Sequence, residues 1–193
     1  MGVLNMKRFL ALLMVILTSL CLFGCGDDPV PEGMKLASDT DVVDYSLFVP
    51  KEWIVSSAER ATTHAYVSEG DRTNVLVMQW NITENTKTVS DWWEKEYKPQ
   101  VFESGSIQDC KALVEGESAL LDTREAYKYS YTGKIGDTYF RYDIVACVTQ
   151  GSIYVMQFTY MQDKAEQGKE ITFSSVDTHK EAVDKIVAKF RFR

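Results

Sequence analysis

The sequence predicts an α+β domain in which helices cover an antiparallel sheet. Three observations carry that reading. Tyr127, Tyr129 and Tyr131 alternate with Lys128 and Ser130, and Phe140, Tyr142, Ile144, Ala146 and Val148 share one face of the next run, both with the period of two that a strand requires. Val89, Trp92, Trp93 and Tyr97 recur at helical spacing behind a capping-box pair, Thr88 and Asp91. A closing stripe of Val176, His179, Val183, Ile186, Val187 and Phe190 has the same period behind Ser174 and Asp177.

The chain begins with an export signal. Lys7 and Arg8 precede an apolar run from Phe9 to Phe23, and Gly24 sits directly before Cys25. Leu22-Phe23-Gly24-Cys25 reads as a lipobox, with cleavage expected between Gly24 and Cys25 and a lipid on the Cys25 thiol. Residues 1–24 are then a lipoprotein signal peptide. A membrane span needs roughly 20 apolar residues, and this run is shorter. Cys21, preceded by Leu20, is a poorer acceptor. The expected address is the extracytoplasmic side of the cell membrane, with the bilayer as a partner through the lipid on Cys25.

Residues 25–40 read as a flexible tether, since Gly26, Asp27, Asp28, Pro29, Pro31 and Gly33 show no apolar period. Such a linker reaches roughly 20 Å. Asp39, Asp41 and Asp44 do not form a calcium loop: Asp44 stands where the loop needs Gly, and Pro50 where it needs Glu. They are expected to be solvated. The folded domain is expected over residues 41–193.

Pro50 ends a first short strand, and Trp53-Ile54-Val55 resumes an extended path. His64 to Val67 and Val75 to Trp80 follow as strands about the turn Glu69-Gly70-Asp71. Val75 to Trp80 is apolar on both faces and is expected centrally in the sheet. After the Trp92 helix, which Pro99 kinks or ends near Phe102, Ile107 to Val114 is a strand. A meander from Ala119 to Tyr160 turns at Gly133 to Asp137 and at Gln150-Gly151-Ser152.

Charge narrows the partners. The net charge of −7 becomes about −9 once residues 1–24, with Lys7, Arg8 and no acid, are removed. Nucleic acid and anionic lipid headgroups both need a basic surface, so neither is an expected ligand. Cys110 and Cys147 remain unassigned. In an exported protein they form a disulfide or lie as two buried thiols.

The search for chemistry returns little. Gly116-Glu117-Ser118-Ala119-Leu120 lacks the last glycine of a nucleophile elbow and the helix that should follow it. His64 and His179 are the only histidines, and neither has zinc ligands at the required spacing. No glycine-rich phosphate loop is present, and no metal or cofactor is expected. Asn81-Ile82-Thr83 matches a glycosylation sequon and reads as a turn. Trp92, Trp93, Tyr127, Tyr129 and Tyr131 are either a stacking platform for a ligand or core and cross-strand packing. Neighbouring residues on a helix diverge by about 100°, so one of the two tryptophans is expected to face solvent or lie under a loop.

Tyr45-Ser46-Leu47-Phe48-Val49-Pro50-Lys51-Glu52-Trp53 resembles the opening of PsbP-like (Mog-type) domains. The Trp92 helix after the Gln79-Trp80 strand, the meander, and the last helix running into Phe190-Arg191-Phe192 are similar to the same family in order. The resemblance covers about residues 41–193. It implies an α/β/α sandwich around a central antiparallel sheet, a role in binding or supporting other proteins, and no shared catalytic residues. The expectation is therefore a non-catalytic binding or accessory module for a protein or envelope component. The alternative is an extracytoplasmic hydrolase or transferase with a site near His64 or His179.

Overall fold

Val75 to Trp80 and Ile153 to Tyr160 carry apolar side chains on both faces, as strands covered on both sides do, and they lie at the centre of this molecule. The computed structural model describes residues 29–56, 63–164 and 170–193. The cleavage and lipidation site at Gly24 and Cys25 lies outside the described residues. Pro31–Arg193 forms one compact unit.

The main sheet has seven antiparallel strands: β4 (Ile54–Ser56), β5 (Thr63–Tyr66), β6 (Asn74–Asn81), β7 (Gln108–Leu121), β8 (Arg124–Ile135), β9 (Thr138–Thr149) and β10 (Ser152–Met161). Their order is β4-β5-β6-β10-β9-β8-β7, so the meander β7 to β10 is contiguous and β6 closes onto β10. Val155 pairs with Met78 and Ala146, which places β10 between β6 and β9. β6 is interior, as its two-faced apolar pattern requires. Three short strands, β1 (Met34–Leu36), β2 (Tyr45–Ser46) and β3 (Phe48–Pro50), lie outside the sheet. β1 pairs with β3, and β2 pairs with the last strand, β11 (Arg191–Phe192).

β1 corrects the expected tether. Met34 is fully buried, and Lys35 pairs with Val49, so the ordered domain begins before residue 41. A three-residue strand with one buried side chain has too short a period to be legible from sequence. Asp44 also departs from its solvated assignment, since the Tyr154 hydroxyl donates to its carboxylate at 2.7 Å.

Alternation along the strands builds two cores. Val75, Val77, Val145, Met156 and Phe158 pack with Trp53, Ile186 and Phe190. Ile144, Ala146, Ile153 and Val155, from the intervening positions, pack with Val89, Trp92, Trp93 and Tyr97. The molecule is an α+β fold dominated by its sheet, and its helices are short.

The first helical run comprises α1 (Val89–Trp92), a π-helical turn (Trp93–Tyr97) and α2 (Lys98–Phe102). Thr88 caps its start as expected, the Asp91 amide donating to Thr88 Oγ1 at 3.0 Å, but the return bond to Asp91 Oδ2 at 2.9 Å comes from the Thr88 hydroxyl, not from the backbone N–H of a capping box. The wide turn falls directly before Pro99, which lacks an N–H and whose ring would press on the carbonyl one α-turn back. The second run, α3 (Ser174–Thr178) and α4 (Lys180–Lys189), starts differently from expectation. Ser174 does not cap through Asp177. Asp163 reaches across from beyond β10 to accept from the Ser174 amide at 3.0 Å, a tertiary cap that local spacing does not reveal.

Candidate functional site

Along β8 and β9 the residues that alternate with the aromatic face are polar: Lys128 and Ser130 on one strand, Arg141 and Asp143 on the other. These side chains form the floor of a groove of about 640 Å³, with Val183, Val187 and Ala188 of α4 as one wall and Val114 and Leu120 of β7 opposite. The floor is wired together. Buried Ser130 donates to Asp143 Oδ1, and Arg141 Nε donates to the same oxygen at 2.9 Å. At the mouth Asp122 pairs with Arg191 at 3.7 Å and accepts the Phe192 amide at 2.7 Å. Asp122 and Thr123 form the two-residue turn between β7 and β8 with φ of +47° and +65°. A hairpin of this length favours Asn-Gly, so a β-branched Thr in the left-handed region is strained. Leu120 is 66% exposed at the rim.

The aromatic platform is not a surface. Trp92 and Trp93 are 0% and 1% exposed, and Tyr129 and Tyr131 are buried with them. The expectation that one tryptophan faces solvent fails because the sheet is wide. Trp92 packs on Trp80 with centroids 5.3 Å apart, and Trp93 stacks on Tyr129 at 4.3 Å. Two diverging rings thus both meet strands. Both indole N–H groups lack a hydrogen-bond partner among the described residues. Beside them the Tyr97 hydroxyl donates to Gln157 Oε1 at 2.5 Å and lies 3.1 Å from the Tyr131 hydroxyl. Burial pushes the hydroxyls of Tyr129 and Tyr142 up to about 12. Only Tyr127 of the five is partly open, and its hydroxyl donates to Glu125.

Cys110 and Cys147 are free. Cys147 lies in the core under α4, whereas Cys110 contacts the Ile107 and Val101 carbonyls near the Trp92 helix. A bridge between them is corrected on geometry. Cys147 pairs with Ala126 of β8, while Cys110 packs beside Gly133, seven positions further along that strand. At about 3.3 Å per residue, that separation exceeds any disulfide span.

The histidines lie apart in the fold. His64 sits on β5, bonded through Nδ1 to Ser56 at 2.8 Å and stacked on Tyr66, and burial lowers its pKa. His179, at the start of α4, holds Asp71 Oδ2 through Nε2 at 2.6 Å and meets Trp53 edge-on. Burial pushes the Asp71 carboxyl up. The Thr73 amide and the His179 ring outweigh burial and leave it below the usual 3.8. A carboxyl lowered on folding stabilises the fold above its unfolded value, and this stabilisation is lost as the pH falls through the folded value. Asp71→Asn is therefore expected to lower stability at neutral pH and to flatten the acid side of the stability profile. Denaturant midpoints measured from about pH 7 to about pH 2 check this; an acid limb as steep as the parent's would contradict it.

The groove was missed by sequence reasoning. Its signal was the polar alternation of Lys128-Ser130 and Arg141-Asp143 opposite the aromatic face. Among the described residues no cluster of three potential metal ligands occurs. None of the described helices is long and apolar enough to cross a membrane.

No family model matches the chain. No curated protein matches it either. Solved structures do. The cyanobacterial PsbP (CyanoP) of Synechocystis sp. PCC 6803 superposes with a TM-score of 0.53 at 16% identity, over 88% of this chain and 98% of that one. LpqN of Mycobacterium tuberculosis, described as involved in cell envelope biogenesis, gives a TM-score of 0.48 at 14% identity over 76% and 81% of the two chains.

Proposed function

We propose that the PsbP-like fold of this chain serves as a lipid-anchored extracytoplasmic module that binds or supports a protein or envelope component without catalysing a reaction. The three-layer α/β/α arrangement of such domains is part of this reading: a helical run packs in each of the two cores. The anchor rests on the lipobox ending at Cys25. The binding role rests on the groove beside α4, whose Arg141, Asp143, Arg191 and Asp122 pair with one another while its apolar wall stands open.

Crosslinking in the native envelope, with mass spectrometry of the purified protein, tests both parts. The expected products are a mature N-terminus at Cys25 carrying acyl mass and a reproducible crosslinked partner. A retained leader, or a bare Cys25 in a freely secreted product, would remove the anchor. The absence of any crosslinked component would remove the binding role.

A second reading, a hydrolase or transferase centred on His179, has the 2.6 Å contact to Asp71 in its favour. It requires turnover in a broad hydrolase screen that His179→Gln abolishes.

A further inference from the structure

The groove has the dimensions of a site for one small ligand. Its 640 Å³ falls within the roughly 300–1,000 Å³ of ligand sites. Most of its charged side chains are already engaged. Arg141 is on Asp143, Arg191 on Asp122, and Asp184 on Lys180. Lys128 stands directly opposite Glu117 in the β7–β8 register. An ionic headgroup would have to break one of these ion pairs, or compete with the facing Glu117 for Lys128. What stays open is apolar: Val183 and Val187 on α4, and Val114 and Leu120 on β7. Leaving a leucine this exposed beside other apolar side chains is a feature of interaction sites.

The position of α4 indicates where such a ligand would come from. Lys185, on the helix that forms the groove wall, donates to the Glu32 carbonyl at 2.9 Å. Glu32 is only seven positions after Cys25, at most about 25 Å of extended chain. A lipid on Cys25 would therefore hold α4 close to a bilayer surface, a point that rests on the proposed anchoring. The ligand at hand in that setting is an amphiphile.

We propose that the groove between α4 and β7–β9 binds the acyl chain of an uncharged amphiphile taken from the membrane. The tail lies along Val183, Val187 and Leu120. The hydroxyl-bearing end meets the Ser130–Asp143–Arg141 network, which can donate and accept without a net charge.

The test uses the chain from Cys25 onward with Cys25→Ser, so that binding is measured without an anchor. The probes are a monoacylglycerol, a fatty acid of the same length, and a monoacylglycerol with a photoreactive group at the tail end. Saturable binding of the monoacylglycerol is expected below its micelle concentration, at least tenfold tighter than the fatty acid. Crosslinks are expected on Val183–Ala188 or on β7. Leu120→Glu, at an exposed position that leaves the core intact, is expected to weaken binding at least tenfold, as is Val187→Trp, which fills the groove. No saturable binding, crosslinks mapping elsewhere, or unchanged affinity in Leu120→Glu would each overturn the proposal. An unacylated Cys25 in the native protein together with groove crosslinks would refute the anchor alone.

Discussion

Trp92→Ala and Trp93→Ala are each expected to lower unfolding free energy by about 3–5 kcal/mol, the usual range for truncating a buried tryptophan. Adjacent positions on a helix normally give one large and one small effect. Here they are equal because each ring has its own wall, Trp80 for Trp92 and Tyr129 for Trp93. Urea denaturation followed by circular dichroism measures both. A loss below about 1 kcal/mol for either would mean that its ring is not enclosed. Replacement by Phe should be milder, because it keeps most of the packing and removes an indole N–H that lacks a partner among the described residues.

Phe190→Ala is expected to have an effect of the same size, about 3–5 kcal/mol, and to act on a different part of the molecule. Phe190 is fully buried at the end of α4, stacked on Tyr45 at 5.4 Å and edge-on to Phe192 at 4.9 Å. It joins the last helix, the β2–β11 pair and the core under the sheet. Hydrogen exchange should quicken in α4 and β11 well before β8 and β9. Uniform quickening across the sheet would show that the C-terminal segment does not dock as a separate layer.

The sheet was legible in the sequence because its signal is long. Runs of ten to twelve residues in β8 to β10 leave little choice of structure, and Gly151 marks the β9–β10 turn, whereas β7, expected to stop at Val114 with the meander starting at Ala119, runs on from Gln108 to Leu121. The Thr88 cap was legible because both partners are three residues apart. What escaped was tertiary. Asp163 caps α3 from a segment separated by 11 residues, and β1 exists only because β3 offers it a partner. The burial of both tryptophans depends on the width of the sheet beneath them, which no local window contains. The groove was half visible: alternation predicts which side chains share a face, but not that α4 leaves part of that face open. Neither histidine announces its partner, since Asp71 lies 108 residues from His179.

The two margins of the sheet are unequal: β4 has three residues and β7 fourteen. A long free margin is a template on which a second molecule could add its own backbone. β7 carries register shifts between Gln108 and Lys111, between Ala112 and Val114, and between Glu115 and Glu117. Its longest uninterrupted paired run is Glu117 to Leu121, too short to seed a continuous ladder. Copies held in one plane by the proposed anchor would collide far more often than copies in solution, and a margin broken in this way would let them do so without polymerising.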